Sequence, residues 1–299
     1  MFTVFRFAHI AAVILFASAA AASQSSPFLD FVKQRILREP MPAGASRISF
    51  DSVCAVDRNP LARRVLYEYG SIFTATTEVR LPATCIFNDA EEVADFQERL
   101  EIKEVTIGTA SIELQAAAME QLEKARSEAA TRGLRITPLD GSVAARRTYN
   151  DTVRIWNSRF LRALDHWTLR GKIPSEDADK ARKAPVRQQV DMVVGWESKG
   201  LYFSTNFSKS IFYSVAPPGT SQHLSLLAFD VVESGNPAVR KILNKYGWFQ
   251  TIRTDQPHFT YLGVDESELP KRGLTNISHN GNSYWVPNPT VRPIVAMIR

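Results

Sequence analysis

The run Ser221-Gln222-His223-Leu224-Ser225-Leu226-Leu227-Ala228-Phe229-Asp230, with Asp255-Gln256-Pro257-His258 downstream, brings two histidines and two carboxylates into one short stretch of chain. His223, Asp230 and His258 offer three N or O donors, the number that holds a zinc ion (Zn2+) while leaving a coordination position open for water. Asp255, three residues before the last His, is a carboxylate that could take the proton of that water once the metal lowers its pKa toward ~7. The chemistry open to such a set is hydrolysis by metal-activated water.

Position must come from the elements around these residues. The spacing from His223 to Asp230 exceeds a helical turn and suits a loop running into a strand, whose alternation turns Ala228 and Asp230 to one side and Phe229 and Val231 to the opposite core. Phe259-Thr260-Tyr261-Leu262 reads as a second strand that could bring His258 beside Asp230, with Asp255 at its entry. The fold class expected is α+β: a mostly antiparallel sheet carrying the His/Asp/His zinc site, helices packed on one side, and an N-terminal α/β module.

The remaining chain suggests five segments. Residues 1–22 have one early charge, Arg6, an apolar run from Ile10 to Phe16 and small residues to Ser23, the pattern of a signal peptide cleaved after Ala22. The apolar run is short for a membrane span, so the mature chain is expected to be exported, periplasmic or extracellular and cell-wall associated, with no stable membrane span. In an oxidising space Cys54 and Cys85, the only two cysteines, could form a disulfide, or they could be buried thiols. Net charge is +5 and unclustered, which suits an anionic wall and gives no footprint for nucleic acid. Nothing in the composition speaks to oligomeric state.

Residues 23–50 read as a linker with a short helix at Phe28–Arg38. Residues 51–108 read as a small α/β module of unknown role: a helix from Pro60 to Tyr69, extended chain at Ser71–Val79, a strand at Cys85–Phe87, and a helix opened by an Asn88/Glu91 capping box and running through Leu100. Residues 109–265 should hold a helix from near Ser111 to Gly133, a strand at Leu134–Thr137 and a helix after Arg147-Thr148-Tyr149. A charged helical excursion is expected at 171–190, then strands at Met192–Trp196, Gly200–Phe203 and Ile211–Val215. Residues 266–299 form a C-terminal extension with a strand at Ser283–Val286.

The residues quoted above resemble a known pattern, Ser-x-His-x-x-Gly-x-Ala-x-Asp followed by Glu-x-x-His. That pattern belongs to the D-alanyl-D-alanine carboxypeptidases of the VanY kind, within the LAS superfamily of lysostaphin-like and hedgehog-like zinc folds. Ser221, His223, Ala228 and Asp230 fall on the first motif, and His258 with Phe259, Tyr261 and Gly263 resembles the second. The Val215-Ala216-Pro217-Pro218-Gly219-Thr220 turn and an upstream Arg147-Thr148-Tyr149 element extend the likeness over about residues 110–265. The resemblance implies that His223, Asp230 and His258 bind the metal, that Asp255 is the catalytic base, and that Arg147 and Ser221 bind substrate, Arg147 through the terminal carboxylate. It implies as partner a peptidoglycan stem peptide, cleaved by a zinc metallopeptidase of the D,D-carboxypeptidase kind.

Three positions depart from the pattern. Leu226 stands for the Gly, suggesting a different local backbone; Asp255 stands for Glu, shorter by one methylene, about 1.5 Å of reach where a base must come within ~3 Å; and Gln256-Pro257 stands where an aromatic is common. The shortened base keeps open the alternative of a catalytically degenerate zinc-binding protein of the same fold that binds wall peptide. Other chemistry-bearing residues lie outside the motif. Arg146 could share the role of Arg147, His166 sits beside Trp167, Ser208-Lys209-Ser210 pairs Ser with Lys without the S-x-x-K spacing, Lys209 could support an oxyanion or carboxylate, and His279 lies in the extension.

Overall fold

The computed structural model describes residues 26–38 and 49–289. The expected signal peptide, and residues 23–25 and 39–48 of the expected linker, lie outside the described residues. Among those described, no helix is long and apolar enough to cross a membrane.

Helix α1 (Pro27–Leu37) starts where Ser26 caps the Leu29 amide and Pro27 presets the first turn. A short α2 (Phe50–Val53) leads to α3 (Pro60–Tyr69), capped by Asn59. Gly70–Thr74 then forms a 3-10 turn instead of extended chain, because the apolar Ile72 and Phe73 are both drawn into the core there. Cys85–Phe87 is likewise not a strand; its backbone bonds go singly to Val53 O and Gly219 O. Cys54 and Cys85 are joined by a disulfide. Helix α4 (Ala90–Gln97) begins one residue later than expected, since Asp89 rather than Asn88 accepts from the Glu92 amide. An N-terminal α/β module is not shown among the described residues, where the first strand, β1 (Ile102–Ile107), pairs antiparallel with β2 (Ala110–Gln115).

Strand β2 occupies the start of the helix expected from Ser111. Helix α5 (Ala116–Thr131) follows and buries Ala118, Met119, Leu122, Ala125 and Ala129. Leu134–Thr137 is not a strand; the next residue, Pro138, forms an isolated antiparallel bridge with Val231. Helix α6 (Tyr149–Leu169) opens on a Thr148/Asp151 capping box; α7 (Ser175–Lys183) and α8 (Val186–Glu197) complete a helical lobe. Met192–Trp196 therefore lies in a helix, because Val190 and Val193 with Gln189 and Glu197 fall on one helical face and are buried together. Gly200–Phe203 is irregular, and Ile211–Tyr213 is a 3-10 turn. Inside this lobe Glu197 Oε1 accepts from the Phe203 and Ile211 amides, at 3.3 and 2.6 Å, while its Oε2 is buried without a partner. Burial raises the pKa of this carboxyl, against the hydrogen bonds that it accepts.

The central sheet is small: β3 (Ala228–Asp230), β4 (Trp248–Phe249) and β5 (His258–Tyr261) in the order β3-β5-β4, antiparallel throughout. Helix α9 (Pro237–Lys245) precedes β4 and packs on α5. Phe229, Phe259 and Trp248 join Met119 and Leu122 of α5 and Ile242 and Leu243 of α9 in one apolar cluster, which also takes in Phe28 and Ile72. Each fully buried Leu or Phe there contributes about 2–3 kcal/mol. The hairpin β6 (Leu274–His279) and β7 (Asn282–Pro287) ends the described chain. The architecture is thus mixed helix and sheet, with three small antiparallel sheets among the described residues in place of one large one.

Candidate metal centre

Strand pairing fixes the centre. Asp230 stands directly across from His258, and Ala228 across from Thr260; both pairs point away from the Phe229 and Phe259 layer. His223 arrives from a 3-10 turn, Gln222–Ser225, which Leu226 ends in the left-handed conformation (φ 58°). A glycine takes that backbone freely, whereas leucine takes it at about 1–2 kcal/mol. The side chain of Leu226 is fully buried, which offsets the strain. The Gln115 amide bonds to Leu226 O at 3.1 Å and the Gln115 side chain to Ser225 O at 2.8 Å. Leu226 therefore occupies a backbone suited to glycine instead of forcing a different one.

His223, Asp230 and His258 are 2%, 8% and 2% exposed. Their potential ligand atoms all lie within 4.8 Å of one another, so the group could hold a metal ion. The hydrogen bonds decide which nitrogens face inward. His223 Nδ1 lies 2.8 Å from the Ala145 carbonyl, which can only accept. His258 Nε2 lies 2.9 Å from Gln222 Oε1. The Gln222 amide is oriented in turn, since its Nε2 donates to Tyr69 O at 2.6 Å and Ser71 Oγ at 3.0 Å; Thr260 Oγ1 donates to the same Oε1. In their neutral forms, rings so held would aim the lone pairs of His223 Nε2 and His258 Nδ1 at Asp230 Oδ1, at 3.3 and 3.1 Å.

Three electron-rich atoms facing one another repel unless a cation lies between them. Bonds of ~2.0–2.1 Å at tetrahedral angles would set donor atoms about 3.3–3.4 Å apart, close to these spacings. The outer hydrogen bonds are of the kind that orient metal-binding imidazoles. Burial lowers the His223 pKa to about 4, Asp230 opposing, so this ring is neutral at pH 7. Burial works to raise the Asp230 carboxyl, but where that carboxyl titrates in acid the His223 imidazole is itself charged, and His223 and His258 then hold Asp230 well below the ordinary range. The donor set fits a divalent metal with an imidazole preference.

Arg147 is not free in this arrangement. Its Nη2 donates to Asp230 Oδ2 at 2.6 Å and its Nε to Val143 O at 3.0 Å. Arg146 is turned elsewhere, to Gln97 and Glu113. A cavity of about 340 Å³ opens on the centre, and its lining includes Arg147, Ser221, His223, Asp255 and His258. The Asp255 side chain has no hydrogen-bond partner among the described residues. It keeps an exposed face in the cavity wall, and desolvation by the surrounding wall raises its pKa, with His258 opposing and Asp230 adding.

The remaining candidates fall outside this constellation. His166 stacks on Phe207, Ser208 bonds Asn206, Ser210 accepts from Arg64, and His279 packs against Tyr284. Gln222 is the participant that sequence reasoning missed; its only signal was a polar residue between Ser221 and His223. Comparison with protein-family models, with curated proteins and with solved structures returns no match to this chain.

Proposed function

We propose that this chain is an exported, zinc-dependent peptidase acting on peptidoglycan stem peptides in the manner of a D,D-carboxypeptidase. The observation that carries the reading is the convergence of His223 Nε2, His258 Nδ1 and Asp230 Oδ1 beside an open cavity whose wall includes both histidines. Zinc bound there would supply Lewis acidity toward the scissile carbonyl and an acidified water. The chain's own residues do the rest. Ala145 O and Gln222 fix the two rings, Arg147 holds the outer oxygen of Asp230, and Asp255 takes the proton of the attacking water and later delivers it to the leaving amine. A raised pKa suits Asp255 for both halves of that transfer. The signal-like N-terminus and the disulfide support an oxidising compartment, and the motif resemblance supports a D-alanyl-ended peptide.

Metal content and hydrolysis of a D-alanyl-D-alanine-ended muropeptide test the proposal together. The protein should hold one equivalent of zinc and release D-alanine, and His223→Ala should lose both; retention of activity without zinc rejects the reading. One observation favours a second reading, a wall-peptide binder without turnover: the short Asp255 has no hydrogen-bond partner to hold it in place. Zinc retention with no D-alanine release, gained on Asp255→Glu, would select it.

A further inference from the structure

A second cavity, about 560 Å³, adjoins the first and shares Tyr213, Ser214 and Thr254 with it. Its lining contains Lys209 and Arg253 and otherwise neutral polar groups with His279; no Asp or Glu contributes. Neither Lys209 nor Arg253 forms an ion pair among the described residues. Arg253 is positioned all the same: its Nη2 donates to the Tyr213 hydroxyl at 2.9 Å, and the guanidinium lies 5.5 Å from the centre of that ring. Asn206, next to Lys209, is fixed by Ser204 and Ser208. The chamber is thus a polar, cation-lined space opening beside the metal centre.

Arg147, the residue the motif would assign to the substrate carboxylate, is already committed to Asp230 and to the Val143 carbonyl. The uncommitted cations lie across Tyr213 and Thr254 instead. We infer that the terminal carboxylate of the peptide is held in this second chamber by Arg253 and Lys209, with Tyr213 orienting the guanidinium. This assigns a carboxylate-binding subsite to residues outside the motif, and it rests on the peptidase reading above for the path of the peptide. Arg253 offers a planar fork to both carboxylate oxygens, and Lys209 adds a point charge.

The test is calorimetric titration of the mature protein carrying Asp255→Asn, so that peptide is not consumed. The probes are diacetyl-L-lysyl-D-alanyl-D-alanine and its C-terminal carboxamide. The free acid should bind at least about tenfold tighter than the amide. Adding Arg253→Gln and Lys209→Gln, both exposed positions, should bring the ratio close to one, with zinc content in the same samples unchanged. Equal binding of acid and amide by the parent, no measurable binding of either, or a preference that survives the double substitution overturns the assignment. Charge-dependent binding by protein that holds no zinc would sink the hydrolase reading while leaving the chamber standing. Zinc without any acid preference would sink the chamber alone.

Discussion

Asp230 and Glu197 are both buried carboxylates, yet their surroundings push them in opposite directions. Asp230 has each oxygen engaged, Oδ2 by Arg147 and Oδ1 by two imidazoles, and its pKa is held down. Glu197, in the helical lobe, has one oxygen stapling the Phe203 and Ile211 amides and the other orphaned, and its pKa is pushed up. The difference shows that burial alone does not fix the direction in which a carboxyl shifts. A carboxylate built for a cation is surrounded by groups that require its charge, whereas one that ties a loop to a helix needs only a lone pair on one oxygen.

The largest expected effect separates the two directly. Asp230→Asn removes the charge of a proposed ligand and the ion-pair partner of Arg147; loss of an outer-shell partner already costs about 10–100-fold in metal affinity, so zinc binding by competition with a chromogenic chelator should weaken by more than that. Next comes a pH effect on metal-stripped protein. His223 is neutral in the fold down to about 4, while an unfolded imidazole titrates near ~6.5. The unfolded chain therefore binds more protons between those values. Stability is fully present above ~6.5 and falls by about 3 kcal/mol as pH drops through about 4. Urea unfolding at pH 7 and at pH 4.5 should show most of that loss, and His223→Asn should flatten it; an unchanged slope would mean that the desolvated imidazole is not its source.

Gln222→Leu is expected to weaken zinc by about 10–100-fold through the freed His258 ring, with Asp230→Asn remaining the more severe of the two. The smallest effect belongs to Glu197→Gln, which preserves the acceptor and removes the charge. Its unfolding free energy at pH 7.5 should stay within about 1 kcal/mol of the parent and its zinc affinity should not change. A large loss would mean that the Glu197 charge has a partner, contrary to the contrast drawn with Asp230.

How much of this was legible in the sequence follows from which forces are local. The pairing of Asp230 with His258 could be read because strand alternation and an apolar layer of Phe229 and Phe259 are sequence-local signals. Helices α1 and α3 carried Pro at their first turns and Ser or Asn caps. What could not be read was settled by long-range packing. Ser111 to Gln115 could begin a helix or end a hairpin, and pairing with Ile102–Ile107 decided for the hairpin. Val193 and Val194 favour strand by type, but a helix placed Val190 and Val193 in one buried row. The partners of Gln222, Tyr69 and Ser71 far upstream, left no mark at the motif at all.

That amide has a thermodynamic consequence. Gln222 grips His258 with its oxygen and the end of α3 with its nitrogen, so ion capture at the proposed centre would be coupled to closure of the α3 terminus. By reciprocity, whatever the metal gains from a well-held ring, the Tyr69–Ser71 backbone gains in resistance to opening. Amide exchange at the Gly70–Thr74 turn should slow when zinc is added.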